Sequence, residues 1–438
     1  MRKQKLNQLW CRRRAWQVVL IPAGLLALAG TAHSQEALRL SMAGDLAATL
    51  QQQANTSLGY YNLLLGPTTW RFASGLGLEY NSNVQLESNG SGDPSDIIIR
   101  PHLDTMMHWP VTLKNSLDIT LEAGYSEYLQ HSDLSQFFIN PGSGLSFDVY
   151  VGDFKINLHE RIAITENTYE NAGVSGGNRN LESLQNTAGT TVLWDLNKAV
   201  INAGYDHANY VSLSSGSQDQ QPDTSSENLF VNSGIRVRPE LMLGLEAGGT
   251  VVTYSQTTGA NTAPSPNAVQ WSTGAFFSAK ISEYMDLRLD AGYTDYTLDT
   301  TSTNLATSDT SGFYCSFSLT HRVNQFLRYT LTAGRSTDLS AYGQAQSYYF
   351  VRLTPAWSLF QNYTLTTPVW WQQGTRLYNN TFGSAADYQQ IGLGFTVGRQ
   401  VTRKLSANVG YNFVDETSNQ AGLAYTVHTV DLNFNYQF

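Results

Sequence analysis

Cysteine is almost absent from this sequence, and so are long apolar runs once the first thirty-five residues have passed. Cys11 and Cys315 are the only cysteines among 438 residues, which excludes the disulfide framework of a small secreted domain. Beyond residue 35 no apolar run approaches the ~20 residues that a membrane-spanning helix needs. The mean hydropathy is slightly negative, at −0.27. The sequence therefore excludes a bundle of membrane helices.

The N-terminus has the pattern of a secretory signal peptide. Residues 1–14 contain six Lys and Arg and no acid, and an apolar run follows them. Ala32 and Ser34 are small residues of the kind that precede a cleavage site, so residues 1–34 are predicted to be removed before Gln35. Removal of six of the 26 basic residues leaves 20 against 35 acids, a net charge of −15. Such a charge argues against nucleic acid as a partner.

Residues 35–67 separate the signal peptide from the first strand. Leu38, Met42, Leu46 and Leu50 recur every four residues, which predicts a short amphipathic helix. Two interpretations of this helix remain open, a periplasmic N-terminal segment and a plug that enters a barrel.

Apolar and polar residues alternate through much of the chain from Trp70 onward, which is typical of β-strands with two different faces. Every second residue from Val430 to Phe438 is apolar, and the residues between them are Asp, Asn or Gln. Residues 117–125, 286–293 and 404–413 alternate in the same way, and their charged residues avoid the apolar face. Low mean hydropathy combined with strong alternation predicts the strands of a transmembrane barrel, which turn one face to lipid and one to the lumen.

Short and long connections alternate along the chain. Short links occur near residues 152–153, 238–240, 282–283, 323–324 and 359–361, and long polar links at 82–95, 167–180, 214–226, 256–266, 300–309 and 375–384. Bacterial barrels have short periplasmic turns and long external loops. The predicted fold is therefore all-β, a transmembrane antiparallel up-and-down β-barrel of about 18 strands over residues 68–438.

A glycine repeat supports this count. Glycines at 124, 204, 248, 292, 334 and 410 occur in Ala-Gly-Tyr or related triplets, and a regular spacing of this kind indicates repeated hairpins. We expect these glycines to face the lumen, where they would allow curvature or close packing.

The charged residues of the polar faces are the candidate functional residues. Their signs are mixed, so no strong ion selectivity is expected. They could set up a transverse field in the lumen or pair and stiffen its wall, and the sequence leaves both open. The pore-lining candidates are Arg100, Asp104, Asp118, Glu122, Arg161, Arg236, Glu246, Asp286, Arg288, Asp290, Arg328, Arg352 and Asp431.

Catalytic and metal-binding patterns are weak in this sequence. Asp206-His207 is the best candidate for a catalytic dyad, although a solvated pair at the rim is the simpler interpretation. Loop acids such as Asp93, Asp96 and Asp133 could bind calcium, although scattered acids more often serve solubility. We therefore predict no enzyme activity, no cofactor and no metal.

Two stretches resemble known outer-membrane proteins. Residues 75–84, Gly-Leu-Gly-Leu-Glu-Tyr-Asn-Ser-Asn-Val, resemble the first strand of the beta-barrel porin 2 family. This resemblance implies an outer-membrane barrel of Gram-negative bacteria, in a family linked to polysaccharide export, without catalytic residues. The terminal Phe438 resembles the insertion signal that the barrel-assembly machinery reads. The chain departs from general porins because it lacks a long acid-rich loop, which predicts no porin-type constriction.

These features predict a channel in the bacterial outer membrane, surrounded by its lipid, for small polar solutes or an exported polysaccharide. The alternative is a closed barrel with a structural or surface-binding role that its long loops carry out. A hydrolase at the rim is the third and weakest hypothesis.

Overall fold

The computed structural model describes residues 61–89, 94–166, 182–213, 223–255, 267–299, 310–339, 345–360, 362–376, 386–420 and 422–438. The predicted signal peptide and amphipathic helix lie outside these residues. Within them, no helix has the length and hydrophobicity required to cross a bilayer.

The described chain consists almost entirely of strands. In chain order they are β1 (Leu63–Leu65), β2 (Thr68–Asn81), β3 (Asp96–Pro110), β4 (Ser116–Tyr128), β5 (Gln136–Ile139), β6 (Gly144–Val151), β7 (Phe154–Glu166), β8 (Glu182–Asp195), β9 (Ala199–Ser212), β10 (Thr224–Arg238), β11 (Leu241–Tyr254), β12 (Ala268–Ser282), β13 (Met285–Leu298), β14 (Thr310–Arg322), β15 (Leu327–Leu339), β16 (Ala345–Leu359), β17 (Tyr363–Thr366), β18 (Val369–Arg376), β19 (Ala386–Gln400), β20 (Leu405–Ser418) and β21 (Tyr425–Gln437). A short 3-10 turn, Ser132–Leu134, lies between β4 and β5.

The strands form one closed antiparallel barrel. Strands that follow each other in sequence pair, except within the couples β5/β6 and β17/β18. β2 closes the ring by pairing with β21, from Ala73 opposite Gln437 to Asn81 opposite Thr429. We call each strand position around the ring a stave. β5 and β6 together occupy one stave, as do β17 and β18, and the short β1 only pairs with the start of β2. The 21 strands therefore give 18 staves, which confirms the predicted fold and strand number.

Local chemistry explains the two interrupted staves. Residues 140–143 form a turn between β5 and β6, in which Ser143 N donates to Asn140 O, and Ser143 Oγ accepts from Glu122 N at 3.0 Å. Between β17 and β18 stands Pro368, which has no N–H for the ladder. The barrel remains closed across this break because Pro368 O still accepts from Gly394 N at 2.8 Å.

The outward face of the barrel is apolar and exposed. On β10, Leu229 and Ile235 point outward and are 60% and 62% exposed, whereas Asn228 and Asn232 point inward and are buried. Outward aromatic residues mark both ends, with Phe154 stacked on Trp194 at the short-turn end and Trp271 near the long-loop end. Trp370 belongs to neither set, because its register with Arg352 and Gly392 turns it into the lumen.

Inward glycines make room for inward rings on the next strand. A Cβ at Gly204 or Gly292 would collide with the ring of Phe230 or of Tyr314, respectively, and one at Gly392 would collide with Trp370. The rings lie against the bare backbone of the neighbouring strand, an arrangement that stabilises glycine-containing strands. The repeated glycines thus let large side chains lie against the wall of the lumen.

The two faces should respond differently to the same charge. Val409 points outward on β20 and is 47% exposed, while its neighbour Asn408 points inward. Val409→Lys should lower the free energy of unfolding in phospholipid vesicles by about 2 kcal/mol, because the ammonium must enter hydrocarbon. Asn408→Lys should cost much less, and equal losses in chemical denaturation would contradict this assignment of faces.

Candidate functional site

The lumen wall contains all the charged residues singled out from the sequence. The register of the ladders places each at an inward position, with Arg100, Asp104, Asp118 and Glu122 on β3 and β4 and Arg161 on β7. The others lie on the remaining wall, Arg236 and Glu246 on β10 and β11, Asp286, Arg288 and Asp290 on β13, Arg328 on β15, Arg352 on β16 and Asp431 on β21.

Many of these charges pair with a neighbour within the wall. Arg100 bonds to Glu79, and Lys155 lies 3.2 Å from Asp148. The Arg288 guanidinium lies 2.8 Å from Asp290 and stacks over the ring of Phe276. Such pairs hold the side chains against the wall, which is the stiffening role that the sequence left open.

A second pairing closes the wall at the short-turn end. Arg236 binds Asp195 through two nitrogens, at 2.8 and 3.0 Å, and donates to Asn197 O at 2.6 Å. This two-point geometry is the strong form of an arginine–carboxylate contact. It fixes the turn between β8 and β9.

One cluster of inward groups carries excess negative charge. Asp104 and Glu122 are directly opposite each other on β3 and β4, and with His102 they form a group whose ligand atoms all lie within 4.8 Å of one another. His102 Nε2 lies 3.1 Å from Asn435 Oδ1 across the seam. This side of the lumen is therefore acidic at mid-height.

The opposite side of the lumen carries mainly arginine. Arg322, Arg328 and Arg352 lie inward on β14, β15 and β16 and are exposed. Within the described residues none of them has a carboxylate partner. Asp338 is the single acid on these three strands, and it lies near the long-loop end, where it accepts from Tyr348 OH at 2.6 Å. The lumen thus has an acidic and a basic wall.

The long-loop end of the lumen differs from the polar surface predicted from sequence. Its inward residues form three buried apolar clusters, which contain, among others, Tyr254 and Tyr296, Ile98 and Tyr128, and Tyr425 and Val427. We call these clusters the collar. Their sequence signal is the loss of alternation at strand ends, as in Val251-Val252-Thr253-Tyr254.

The loop between β2 and β3 folds onto this collar. Val84 packs with Ile98 and Tyr128 and is 3% exposed, and Leu86 packs with Val414 and Trp370 and is 2% exposed. The absence of a long acid-rich loop therefore gave no sign of this loop at the mouth. Composition could not reveal it, because apolar contacts rather than acids hold this loop inside the mouth.

The fold separates the two residues of the candidate dyad and gives one candidate calcium ligand another role. Asp206 points inward, 2.9 Å from His159, whereas His207 points outward, 2.8 Å from Glu227. Consecutive residues of a strand face opposite ways, so Asp206 and His207 do not form a dyad. The Asp96 carboxylate is buried and accepts from Gln130 N and His131 N, which anchors the β4–β5 loop. Asp93 lies outside the described residues.

Comparisons with known proteins give a likeness in architecture alone. No protein-family model and no curated protein matches the chain. Among solved structures, Acinetobacter baumannii OccAB3 has 10% identity and a TM-score of 0.45, and covers 84% of this chain and 99% of its own. Pseudomonas aeruginosa OccK2 has 10% identity and a TM-score of 0.48, and the match covers 84% of this chain and 98% of OccK2. P. aeruginosa OpdQ has 8% identity and a TM-score of 0.47, and the match covers 85% of this chain and 98% of OpdQ. These values assign neither a family nor a function.

A water-filled lumen can be tested with a thiol reagent. Arg352→Cys in a Cys315→Ala background places the thiol inside the barrel, and we expect complete labelling by a charged methanethiosulfonate in vesicles. The wild-type protein is the control, because its Cys315 points outward beside Phe313 and Phe317. Labelling of Cys315 with no labelling at position 352 would contradict the assignment.

Proposed function

We propose that the chain is a channel in the outer membrane of Gram-negative bacteria that passes small polar solutes. The observation that carries the proposal is the arginine wall inside a closed ring of 18 staves with an apolar outside. Arg352 lies exposed on the inner face within the ladder, and the exposed Arg322 and Arg328 lie opposite each other at the short-turn end. Barrels of 16–18 strands leave an aqueous channel unless a segment fills them. Exposed guanidinium groups at inward positions are stable only if water reaches them.

The mouth favours small solutes over an exported polymer. Val84 and Leu86 attach the β2–β3 loop to the inner face of the collar, so the loop occupies part of the opening. The polysaccharide that the beta-barrel porin 2 resemblance implies would have to pass this loop. A closed barrel that acts only through its loops is the alternative, and it predicts that no current flows.

Conductance of the refolded chain in a planar bilayer tests the channel and its charge map together. Each unit charge contributes about 1 kcal/mol to an ion that passes at about 4 Å in water. Arg328→Gln combined with Arg352→Gln should therefore keep the channel open and lower the chloride-to-potassium permeability ratio by about fivefold or more.

The matched control for this experiment is Arg399→Gln, which removes an outward arginine that stacks over Tyr363. Its permeability ratio should equal that of the wild type. An equal shift in both variants would show that the arginine wall does not face the ion path, and silence of every variant would refute the channel.

We also propose that Phe438 is the insertion signal for the barrel-assembly machinery. Its N–H donates to Phe72 O, and its ring packs edge-on against Tyr436 on the outward face. Phe438→Ser should reduce the amount of assembled barrel in cells and leave refolding into detergent unchanged. Tyr436→Ser, on the same face, should not reduce assembly in cells. Equal loss in both variants would contradict a terminal signal.

A further inference from the structure

The wall around Arg352 combines aromatic and polar side chains in an alternating pattern. β16 and β18 pair directly here, with Phe350 opposite Gln372 and Arg352 opposite Trp370. All four side chains point into the lumen, because residues in register and residues two apart share one face of a sheet. We call these four residues the platform. Each of its two rings has one polar side chain opposite it and another two residues away along its own strand.

The indole of Trp370 lies across the neighbouring strand β19. A Cβ at Gly392 would collide with three of its ring atoms together, Nε1, Cε2 and Cζ2, so one face of the indole lies against the bare backbone. The side chain also packs against the apolar cluster that contains Leu86 and Val414, and it remains partly exposed. The indole is therefore held in place with part of its surface open to the lumen.

The ring of Phe350 leans the other way, over β15. A Cβ at Gly334 would lie 3.1 Å from Cζ of Phe350, and the ring of Tyr348 supports it at 6.1 Å between centroids. Phe350 is also partly exposed. β15 and β19 are three strand spacings apart, about 14 Å. The two rings of the platform thus lie at opposite ends of one stretch of wall.

The polar side chains between the two rings can bind a solute. Arg352 is exposed, and its guanidinium presents several N–H donors. Gln372 Nε2 donates to Tyr388 OH at 2.6 Å, which fixes the amide. Its Oε1 accepts no hydrogen bond from any residue in the described ranges. Donors and an acceptor therefore lie side by side between two aromatic surfaces.

A sugar is the class of small polar solute that matches both parts of the platform. The C–H groups of a pyranose ring form an apolar face that packs on the negatively polarised face of an aromatic ring. Its hydroxyl groups each donate and accept hydrogen bonds, as the polar groups of the platform require. A small inorganic ion would use Arg352 alone and leave both rings without a role.

We propose that the platform is a binding site for a short oligosaccharide that lies along the wall of the lumen. One sugar ring stacks on Trp370 and another on Phe350, while Arg352 and Gln372 bond to the hydroxyl groups between them. The separation of the two rings exceeds the length of one sugar, so a chain of linked sugars reaches both. This proposal rests on the proposed channel function, since it names the solute class of the same lumen.

Block of the ion current by sugar tests the platform. The full mature chain is recorded in a planar bilayer with cellotriose or maltotriose added, and we expect at least one of the two to interrupt the current. The block should persist in about 1 M salt, where charge attraction is screened, because these sugars are neutral. Sorbitol has the hydroxyl groups without the ring and should not block at the same concentration.

Adjacent aromatic residues on the lipid face provide matched control variants. Trp370→Ala and Phe350→Ala should each raise the sugar concentration that halves the current by about tenfold, because each loses one stacking surface. Trp370→Phe should retain most of the block. Trp371 and Tyr349 are the outward neighbours of the two rings, so Trp371→Ala and Tyr349→Ala should block like the wild type.

The outcomes separate this proposal from the one on which it rests. A wild-type channel that conducts without block by either sugar, equal block by sorbitol, or equal losses in Trp370→Ala and Trp371→Ala would overturn the platform and leave the channel standing. Silence of the wild type and of every variant would overturn the channel and the platform with it. Migration of the folded band on unheated gels shows that each variant is assembled.

Discussion

The hydrogen-bonded ladder between β2 and β21 is the constraint on which the rest of this structure depends. Without it, the first and last strands would expose unpaired N–H and C=O groups to hydrocarbon, where each costs several kcal/mol. Closure also gives the alternating pattern its meaning, since only a closed sheet has an inside and an outside. Nine residue pairs from Ala73 to Asn81 close the sheet. In the closed sheet, alternate residues of each strand face the lumen and the lipid.

Period-two alternation made most of this architecture predictable. It indicated which face of β13, β20 and β21 carries charge, and the short links at Gly152 and Pro239 separate strands where the sequence placed them. The strand count follows from these two observations. Alternation predicts the faces of a strand because each residue faces either lipid or lumen, and the polarity suited to that environment is a local property of the residue.

The collar and the inward loop could not be predicted in the same way. Leu86 looks like an isolated apolar residue in a polar loop, and its partners Val414 and Tyr425 are over three hundred residues away in sequence. Trp370 lies near a strand end, where an aromatic residue fits either face. Only the register of β18 against β16 shows that it points inward. Contacts of this kind depend on closure, which no single strand encodes.

The charges of the lumen combine rigidity with an uneven field. Paired groups such as Lys155 and Asp148 hold the wall in shape, whereas the arginines of β14–β16 remain open to water opposite the carboxylates of Asp104 and Glu122. Residues along such a lumen influence passing ions through both signs. The mixed composition of the sequence thus separates, in three dimensions, into two walls of opposite charge.

In the closed barrel, β21 has one face toward lipid and the other toward water along its whole length. The most direct test is a nitroxide scan of positions 429–436 in vesicles, with accessibility to oxygen and to a water-soluble nickel complex measured at each position. We expect a period of two, with nickel access at Asp431, Asn433 and Asn435 and oxygen access at Val430, Leu432 and Phe434. A uniform profile, or nickel access at every position, would contradict the closed transmembrane barrel.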